Sequence, residues 1–183
     1  MVTAPLGTVT NSYDLTPQQQ NYSLHYERFY SGTEGADTFT LTSHQVEASG
    51  LGGDDLIVGN ALDNRISGGS GNDALLGGGG ADGLEGGAGR DRFDYNGLGE
   101  AGDTIVDFTT GDGGDVLDLH DLLEALGSSH DGNAFTGGYL RFQQSGADTL
   151  VQIDADGGGD GFVTLATLQN ALLTQADTAN YVL

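Results

Sequence analysis

The 183-residue sequence contains no cysteine, no tryptophan and no lysine, only two prolines, and five basic residues that are all arginine. Without cysteine it forms no disulfide bond and offers no thiolate to a zinc ion or an iron–sulfur cluster. With so few cations it lacks the basic surface that binds nucleic-acid phosphates. It has no run of about 18 apolar residues and no basic-then-apolar start typical of a signal peptide. We therefore expect no nucleic-acid partner and no membrane-spanning segment.

Glycine and aspartate are what the sequence has in abundance. It contains 33 Gly and 27 acidic residues, of which 21 are Asp, and its formal net charge is −22. A chain this anionic either stays open in water or folds around cations. Aspartate holds its carboxylate close to the backbone and suits the oxygen-only coordination that hard divalent cations require.

The Gly and Asp residues recur with a period of nine between residues 32 and 94, which divides this stretch into seven blocks. The first position is Gly in six of them. Outside the block 41–49, the sixth position is polar, with Asp37, Asp55, Asn64, Asp73, Asp82 and Asp91. In the same blocks the eighth position is large and apolar, with Phe39, Ile57, Ile66, Leu75, Leu84 and Phe93. A flexible linker has no reason to place a large hydrophobe at every eighth position.

The residue types predict the shape of one block. Glycine allows the first six residues to turn sharply, and the last three form a short strand with its central side chain pointing inward. Two blocks then make one coil, so Ile57, Leu75 and Phe93 stack on one ladder of strands and Ile66 and Leu84 on the other. Because each strand contributes one inward side chain, the core is thin, and we expect bound cations to contribute to folding.

The last three blocks match G-G-x-G-x-D-x-U-x at every fixed position, where U is large and apolar. This pattern resembles the RTX (repeats-in-toxin) calcium-binding nonapeptide. The resemblance implies an all-β fold: a parallel β-roll, which is a calcium-binding β-solenoid with two nonapeptides per coil. We expect an N-terminal cap over 1–31, the β-roll over 32–94, and a mostly-β C-terminal capping and secretion-target region with a short helix over 95–183.

The resemblance also implies the ligands, because ions in such rolls lie between turns that are two blocks apart. Edge one, with turns starting at 32, 50, 68 and 86, would hold three ions. The carboxylates are those of Asp37, Asp55, Asp73 and Asp91, and the carbonyls those of Thr33, Gly35, Gly50, Leu51, Gly52, Gly53, Gly68, Gly69, Ser70, Gly71, Gly86 and Ala88. Edge two, with turns starting at 41, 59 and 77, would hold one ion between Asn64 and Asp82, with carbonyls of Asn60, Leu62, Gly77 and Gly79.

The sequence also allows a further calcium site on edge two. A turn beginning at Tyr95 would place Glu100 below Asp82, with the carbonyls of Gly78, Gly80 and Gly97. The turn 41–49 has neither the Gly nor the carboxylate. We therefore expect about four Ca²⁺ ions, with room for one or two more. Oxygen-only ligands with carbonyls favour Ca²⁺ over Mg²⁺, and zinc would require His or Cys.

The flanking regions differ in composition from the repeats. The stretch 22–30 (YSLHYERFY) fits a strand or short helix that caps the first coil, or the remnant of a neighbouring domain. Strands are predicted at 104–108, 115–119, 138–143, 149–153 and 161–165, and a short helix at 121–126. The runs GDTIVDFTTGDGGDVLDLHDLL and YLRF…TLVQIDADGGGDGFVTLATLQ resemble the C-terminal target domain of large type I-secreted proteins, many of them surface adhesins. This implies transient contact with the type I secretion machinery, a secreted or cell-surface location, and a monomeric module of a longer chain.

Two acidic groups lie outside the repeats. Asp154, Asp156 and Asp160 fit either a calcium loop or a glycine-rich hairpin turn with solvated carboxylates. Asp103, Asp107, Asp112 and Asp115 fit either a calcium ion at the end of the roll or ordinary turn formation.

Catalytic motifs are missing. The sequence has neither the H-E-x-x-H of a metalloprotease nor the G-x-S-x-G of a lipase, and its many carboxylates are assigned to metal binding. We therefore expect no enzymatic activity. Two functions remain: a secretion module that folds on binding calcium outside the cell, and a calcium-dependent module of an adhesin that binds a glycan or a surface.

Overall fold

A computed structural model describes residues 28–128 and 133–183 of the protein. The strands in these ranges are β1 (Phe29–Ser31), β2 (Thr38–Thr40), β3 (Glu47–Gly52), β4 (Leu56–Asn60), β5 (Arg65–Ser70), β6 (Ala74–Gly78), β7 (Gly83–Ala88), β8 (Arg92–Asp94), β9 (Asp103–Ile105), β10 (Val116–Asp118), β11 (Leu140–Ser145), β12 (Asp148–Ile153), β13 (Val163–Leu168) and β14 (Tyr181–Val182). The helices are a 3-10 turn (Leu98–Glu100), α1 (His120–Ala125) and α2 (Asn133–Thr136). None of these helices has the length and hydrophobicity needed to cross a bilayer.

The strands form two sheets between which the chain alternates. The first sheet has the order β1-β3-β5-β7-β9-β13-β12-β11, and the second has the order β14-β10-β8-β6-β4-β2. Neighbouring strands of the repeats are parallel, and each residue lies opposite the one two blocks later, as in Glu47 opposite Arg65 and Leu56 opposite Ala74. The chain is thus a nearly all-β parallel solenoid with two nonapeptides per coil, and this confirms the predicted fold class.

The inward side chains form a narrow column between the sheets. Ile57, Leu75 and Phe93 lie on the second sheet and Ile66 and Leu84 on the first, and all five are buried, as predicted. Ile105 on β9 and Leu117 on β10 continue the two columns. Successive side chains of a strand point to opposite faces of the sheet. The eighth-position side chain, at the centre of each predicted short strand, therefore points into the core.

The parallel ladders continue past residue 94. β9 pairs with β7 at an offset of 21 residues, since Gly83 lies opposite Thr104 and Asp82 bonds to Asp103. β10 pairs with β8 at an offset of 24, since Val116 lies opposite Arg92. β13 and β14 then extend the sheets in parallel, and β11 and β12 add an antiparallel meander beside β13.

The elements predicted after the repeats lie near their predicted places. Strands predicted at 104–108, 115–119, 138–143, 149–153 and 161–165 correspond to β9 to β13, and the helix predicted at 121–126 corresponds to α1. The predicted N-terminal cap over 1–31 falls mostly outside the described residues. Its described part includes β1, which pairs with β3 at the end of the first sheet.

Candidate metal centre

The sixth-position side chains stack in two rows along the edges of the roll. On edge one, the Oδ1 atoms of Asp55, Asp73 and Asp91 each accept the backbone N–H of the sixth residue one coil earlier, at 2.7, 2.8 and 2.9 Å. On edge two, Asp82 Oδ1 accepts the N–H of Asn64 at 2.7 Å. The structure therefore brings together the residues that the spacing of two blocks predicted to be neighbours.

The second oxygen of these carboxylates has no donor. Among the described residues, Asp55, Asp73, Asp82 and Asp91 each have a buried Oδ2 atom without a hydrogen-bond partner. Each of these four residues is almost fully buried. A buried anionic oxygen without a partner is strongly unfavourable, and a bound cation would relieve it.

The first-position glycines show what surrounds these oxygens. A Cβ added to Gly50 would contact both Asp55 Oδ2 and the carbonyl oxygen of Gly68. At Gly68 the same two contacts are with Asp73 Oδ2 and the carbonyl oxygen of Gly86. Carboxylate and carbonyl oxygens thus face one space, and this donor set is the one that Ca²⁺ takes. The residues present fit the ion, and the absence of a side chain at the first position keeps that space open.

Several predicted carbonyl ligands also take part in bonds between coils. The carbonyls of Thr33, Asn60, Ser70 and Ala88 accept the N–H groups of Gly52, Gly79, Gly53 and Gly71, respectively. A carbonyl oxygen has two lone pairs, so these bonds leave one available for a cation.

Burial weakens the acidity of three interior carboxyl groups, those of Asp73, Asp82 and Asp91. It raises the pKa of Asp82 and of Asp91 to about 6, and nearby carboxylates add to both shifts. Burial likewise raises the pKa of Asp73 above its ordinary value. A group that is costly to ionise without a counter-ion is one whose ionised form a divalent cation stabilises.

The terminal carboxylates of both rows differ, because hydroxyl groups bind their outer oxygens. On edge one, Asp37 Oδ2 accepts both the N–H and the hydroxyl of Thr33, at 2.7 and 2.8 Å. At the other end, Asp115 Oδ2 accepts both the N–H and the hydroxyl of Thr109, at 2.8 and 3.0 Å. On edge two, Asp103 Oδ2 accepts the hydroxyl of the buried Tyr95 at 3.1 Å. The carboxylate oxygens of the rows that lack donors therefore lie in the interior.

The prediction that Glu100 lies below Asp82 is wrong, because Asp103 occupies that place. Asp103 Oδ1 accepts the N–H of Asp82 at 2.8 Å. The 3-10 turn and the residues beside it lengthen this coil, so a step of two blocks falls short of Asp103. Glu100 instead accepts the N–H of Asn96 at 2.8 Å, and the Gly97 carbonyl closes the same turn.

The acidic group predicted at the end of the roll is divided between the two edges. Asp103 belongs to edge two, whereas Asp115 Oδ1 continues edge one by accepting the N–H of Asp91 at 2.9 Å. Asp107 accepts the N–H groups of Gly86 and Gly87, and Asp112 is exposed.

The three carboxylates of the 154–160 loop do come together. The ligand atoms of Asp154, Asp156 and Asp160 lie within 4.8 Å of one another, as do those of His120, Asp121 and Glu124. Asp154 Oδ2 accepts three backbone N–H groups, from residues 159 to 161, at 3.0 to 3.1 Å. These bonds hold the pKa of Asp154 below its ordinary value and organise the turn.

A second set of stacked side chains, at the fifth position of the blocks, was not predicted from the sequence. The fifth-position Asp54 and Asn72 accept the N–H of the fifth residue one coil later, at 2.7 and 2.9 Å, and Asp63 does the same for Ala81 at 2.9 Å. The signal was present in the sequence, because three neighbouring blocks carry Asp or Asn at their fifth position.

Comparison with known proteins identifies the repeats. Residues 49–84 and 58–93 match the family model described as the RTX calcium-binding nonapeptide repeat. No curated protein matches the chain. Among solved structures, the AlgE6R3 subunit of the Azotobacter vinelandii mannuronan C5-epimerase is 26% identical, with a TM-score of 0.47 over 85% of this chain and 79% of that one. The extracellular lipase LipA of Serratia marcescens is 21% identical, with a TM-score of 0.42 over 85% of this chain and 21% of the lipase. The family match, together with the stacked rows of aspartates, shows that this chain contains RTX calcium-binding nonapeptide repeats wound into a β-roll.

Proposed function

We propose that the chain is a calcium-dependent folding module, with four Ca²⁺ ions bound between the interior turns of edge one and edge two. Three ions would lie on edge one, at Asp55, Asp73 and Asp91, and one on edge two, at Asp82. The observation that carries this proposal is that these four residues each have a buried carboxylate oxygen without a donor. The hydroxyl groups bound to the terminal carboxylates support the count.

The calcium affinity expected of such modules determines where the chain folds. Extracellular calcium modules bind at about 10⁻⁴–10⁻³ M. Because binding stabilises only the folded state, the roll would be unfolded in the cytosol and folded outside the cell. The absence of cysteine is compatible with passage through a secretion channel in an unfolded state. In this proposal the module serves a larger exported protein, an adhesin, as its C-terminal type I secretion region, and has no catalytic role.

Circular dichroism during a calcium titration tests the folding switch. We expect the chelated chain to lose most of its β-sheet signal and to regain it cooperatively as calcium is added, with reversal by chelator. A chain that keeps its full signal in chelator and does not change up to about 10 mM calcium would contradict the proposal.

The export role requires a separate measurement. A carrier protein fused to this chain should leave cells that express a matching type I secretion system, and a fusion without residues 95–183 should stay inside. Equal export of both fusions would remove the secretion role and leave the calcium switch standing.

A further inference from the structure

Side-chain amides bridge the first gap of edge two, between the turn at 41–46 and the turn at 59–64. Asn60 Nδ2 donates to the carbonyl oxygens of Thr42 and Gln45, at 2.7 Å each. Asn64 Nδ2 lies 3.4 Å from the same Gln45 carbonyl. Asn60 Oδ1 accepts the N–H of Leu62 at 2.8 Å, and this bond orients the amide so that both of its protons face the earlier turn.

This gap differs chemically from the others. Its sixth residue is Val46, so no carboxylate from the earlier turn faces it. Thr42 holds the second position, whose carbonyl binds calcium in the RTX interpretation. Here both the Asn60 amide and the backbone N–H of Gln45 donate to that oxygen, at 2.7 and 3.1 Å, so neither lone pair is left for a cation. A divalent cation in this space would meet amide protons, whereas Ca²⁺ requires six to eight oxygen ligands.

We propose that the Asn60 amide takes the place of a calcium ion in this gap, so that the first two turns of edge two are joined without metal. The inference rests on the proposed function, since it treats the spaces at Asp55, Asp73, Asp82 and Asp91 as calcium sites. A primary amide suits the task because its two protons satisfy two carbonyls at once. The first two turns of edge two would then keep this connection when the ions leave.

Conversion of the amide to a carboxylate tests the assignment. Asn60→Asp replaces two donors by an anionic group that faces two carbonyl oxygens, and this is a calcium donor set. By native mass spectrometry at saturating calcium, we expect the variant to bind one ion more than the wild-type chain. Gln143→Glu, the same change of charge at an exposed position of β11, should leave the count unchanged.

A second measurement covers the case in which Asn60→Asp does not fold. In the calcium-saturated wild-type chain, NMR should show slow solvent exchange of the Asn60 side-chain protons, and exchange at the rate of a free amide would overturn the inference. An equal ion count in the wild type and a folded Asn60→Asp variant would also overturn it. A wild-type chain that binds no calcium contradicts the proposed function instead, so the two failures are distinguishable.

Discussion

Each interior aspartate of the roll gives its two oxygens different tasks. Oδ1 accepts a backbone N–H from the preceding coil, while Oδ2 has no donor and, at Asp55 and Asp73, shares a space with a carbonyl oxygen. One residue therefore connects coils by a hydrogen bond and supplies negative charge for a cation. Neither Asn nor Glu is equivalent, because Asn lacks the charge and Glu would carry it one methylene farther from the backbone.

Gly68→Ala should damage the calcium sites directly. The added methyl would contact Asp73 Oδ2 and the Gly86 carbonyl oxygen, so we expect a loss of about 1–3 kcal/mol in unfolding free energy. The calcium midpoint of the circular dichroism signal should move to higher concentration.

Gly83→Ala is the matched control for this variant. A Cβ at Gly83 would meet nothing nearer than the Asn64 carbonyl oxygen, at 4.0 Å, so its midpoint should stay close to that of the wild type. Equal midpoints for the two variants would show that the first-position glycine does not protect the site.

Tyr95→Phe should leave the Asp103 carboxylate, at the end of edge two, without its hydroxyl donor. The Tyr95 hydroxyl is the donor to Asp103 Oδ2, and both residues are buried. We expect the unfolding free energy at saturating calcium to fall by about 1–3 kcal/mol, as measured by urea denaturation. Tyr139→Phe, which removes a hydroxyl without a hydrogen-bond partner among the described residues, should change it by less. Equal losses would contradict a capping role for Tyr95.

Among the elements, β14 depends on one buried side chain. Asn180 donates to the carbonyls of Asp115 and Gly111, at 2.8 and 3.2 Å, and its Oδ1 accepts the N–H of Gly111 at 2.8 Å. The backbone carbonyls of Asn180 and Val182 then accept the N–H groups of Leu117 and Leu119. This residue thereby holds the last strand against β10.

Asn180→Ala should loosen that strand locally. The loss of its three bonds leaves the carbonyl of the buried Asp115 without this donor, which costs about 1–3 kcal/mol. Hydrogen exchange should become faster at residues 116–119 and stay unchanged in β5 and β7. Gln169→Ala, at an exposed position, should have little effect. Faster exchange throughout the roll would contradict a local role.

The regular elements were predictable because the sequence keeps a period of nine without a frame shift through residue 94. A fixed step of nine places Ile57, Leu75 and Phe93 on one ladder and aligns Asp55 with Asp73. The later coils do not follow this step, because inserted residues lengthen their turns. Asp103 lies 21 residues after Asp82, and Asp115 lies 24 residues after Asp91. Only the pairing of β9 and β10 shows that these carboxylates continue the rows.

At the scale of the whole molecule, a net charge of −22 makes the fold sensitive to protons as well as to calcium. Burial raises the pKa of Asp82 and Asp91 to about 6 and that of Asp103 to about 7 in the folded chain. Between about pH 4 and pH 7 the calcium-free folded state therefore binds more protons than the unfolded chain, and its stability decreases as the pH rises through that window.

The calcium-free chain should consequently show more β-sheet signal at pH 5 than at pH 8. Calcium competes with these protons, so its binding midpoint should be higher at pH 5, and calorimetry in buffers of different ionisation enthalpy should detect proton release near pH 6. A calcium midpoint that is the same at pH 5 and pH 8 would contradict the raised pKa values.

The pairing of two nonapeptides in each interior coil also constrains how such a gene can lengthen. An in-frame duplication of two consecutive repeats inserts one whole coil, so each strand downstream returns to its own sheet and each carboxylate to its own edge. Duplication of a single nonapeptide would exchange the sheets for everything that follows, and β9 and β10 would meet the wrong partners. Growth of the roll is therefore expected to proceed by pairs of repeats, with both ends of the solenoid left intact.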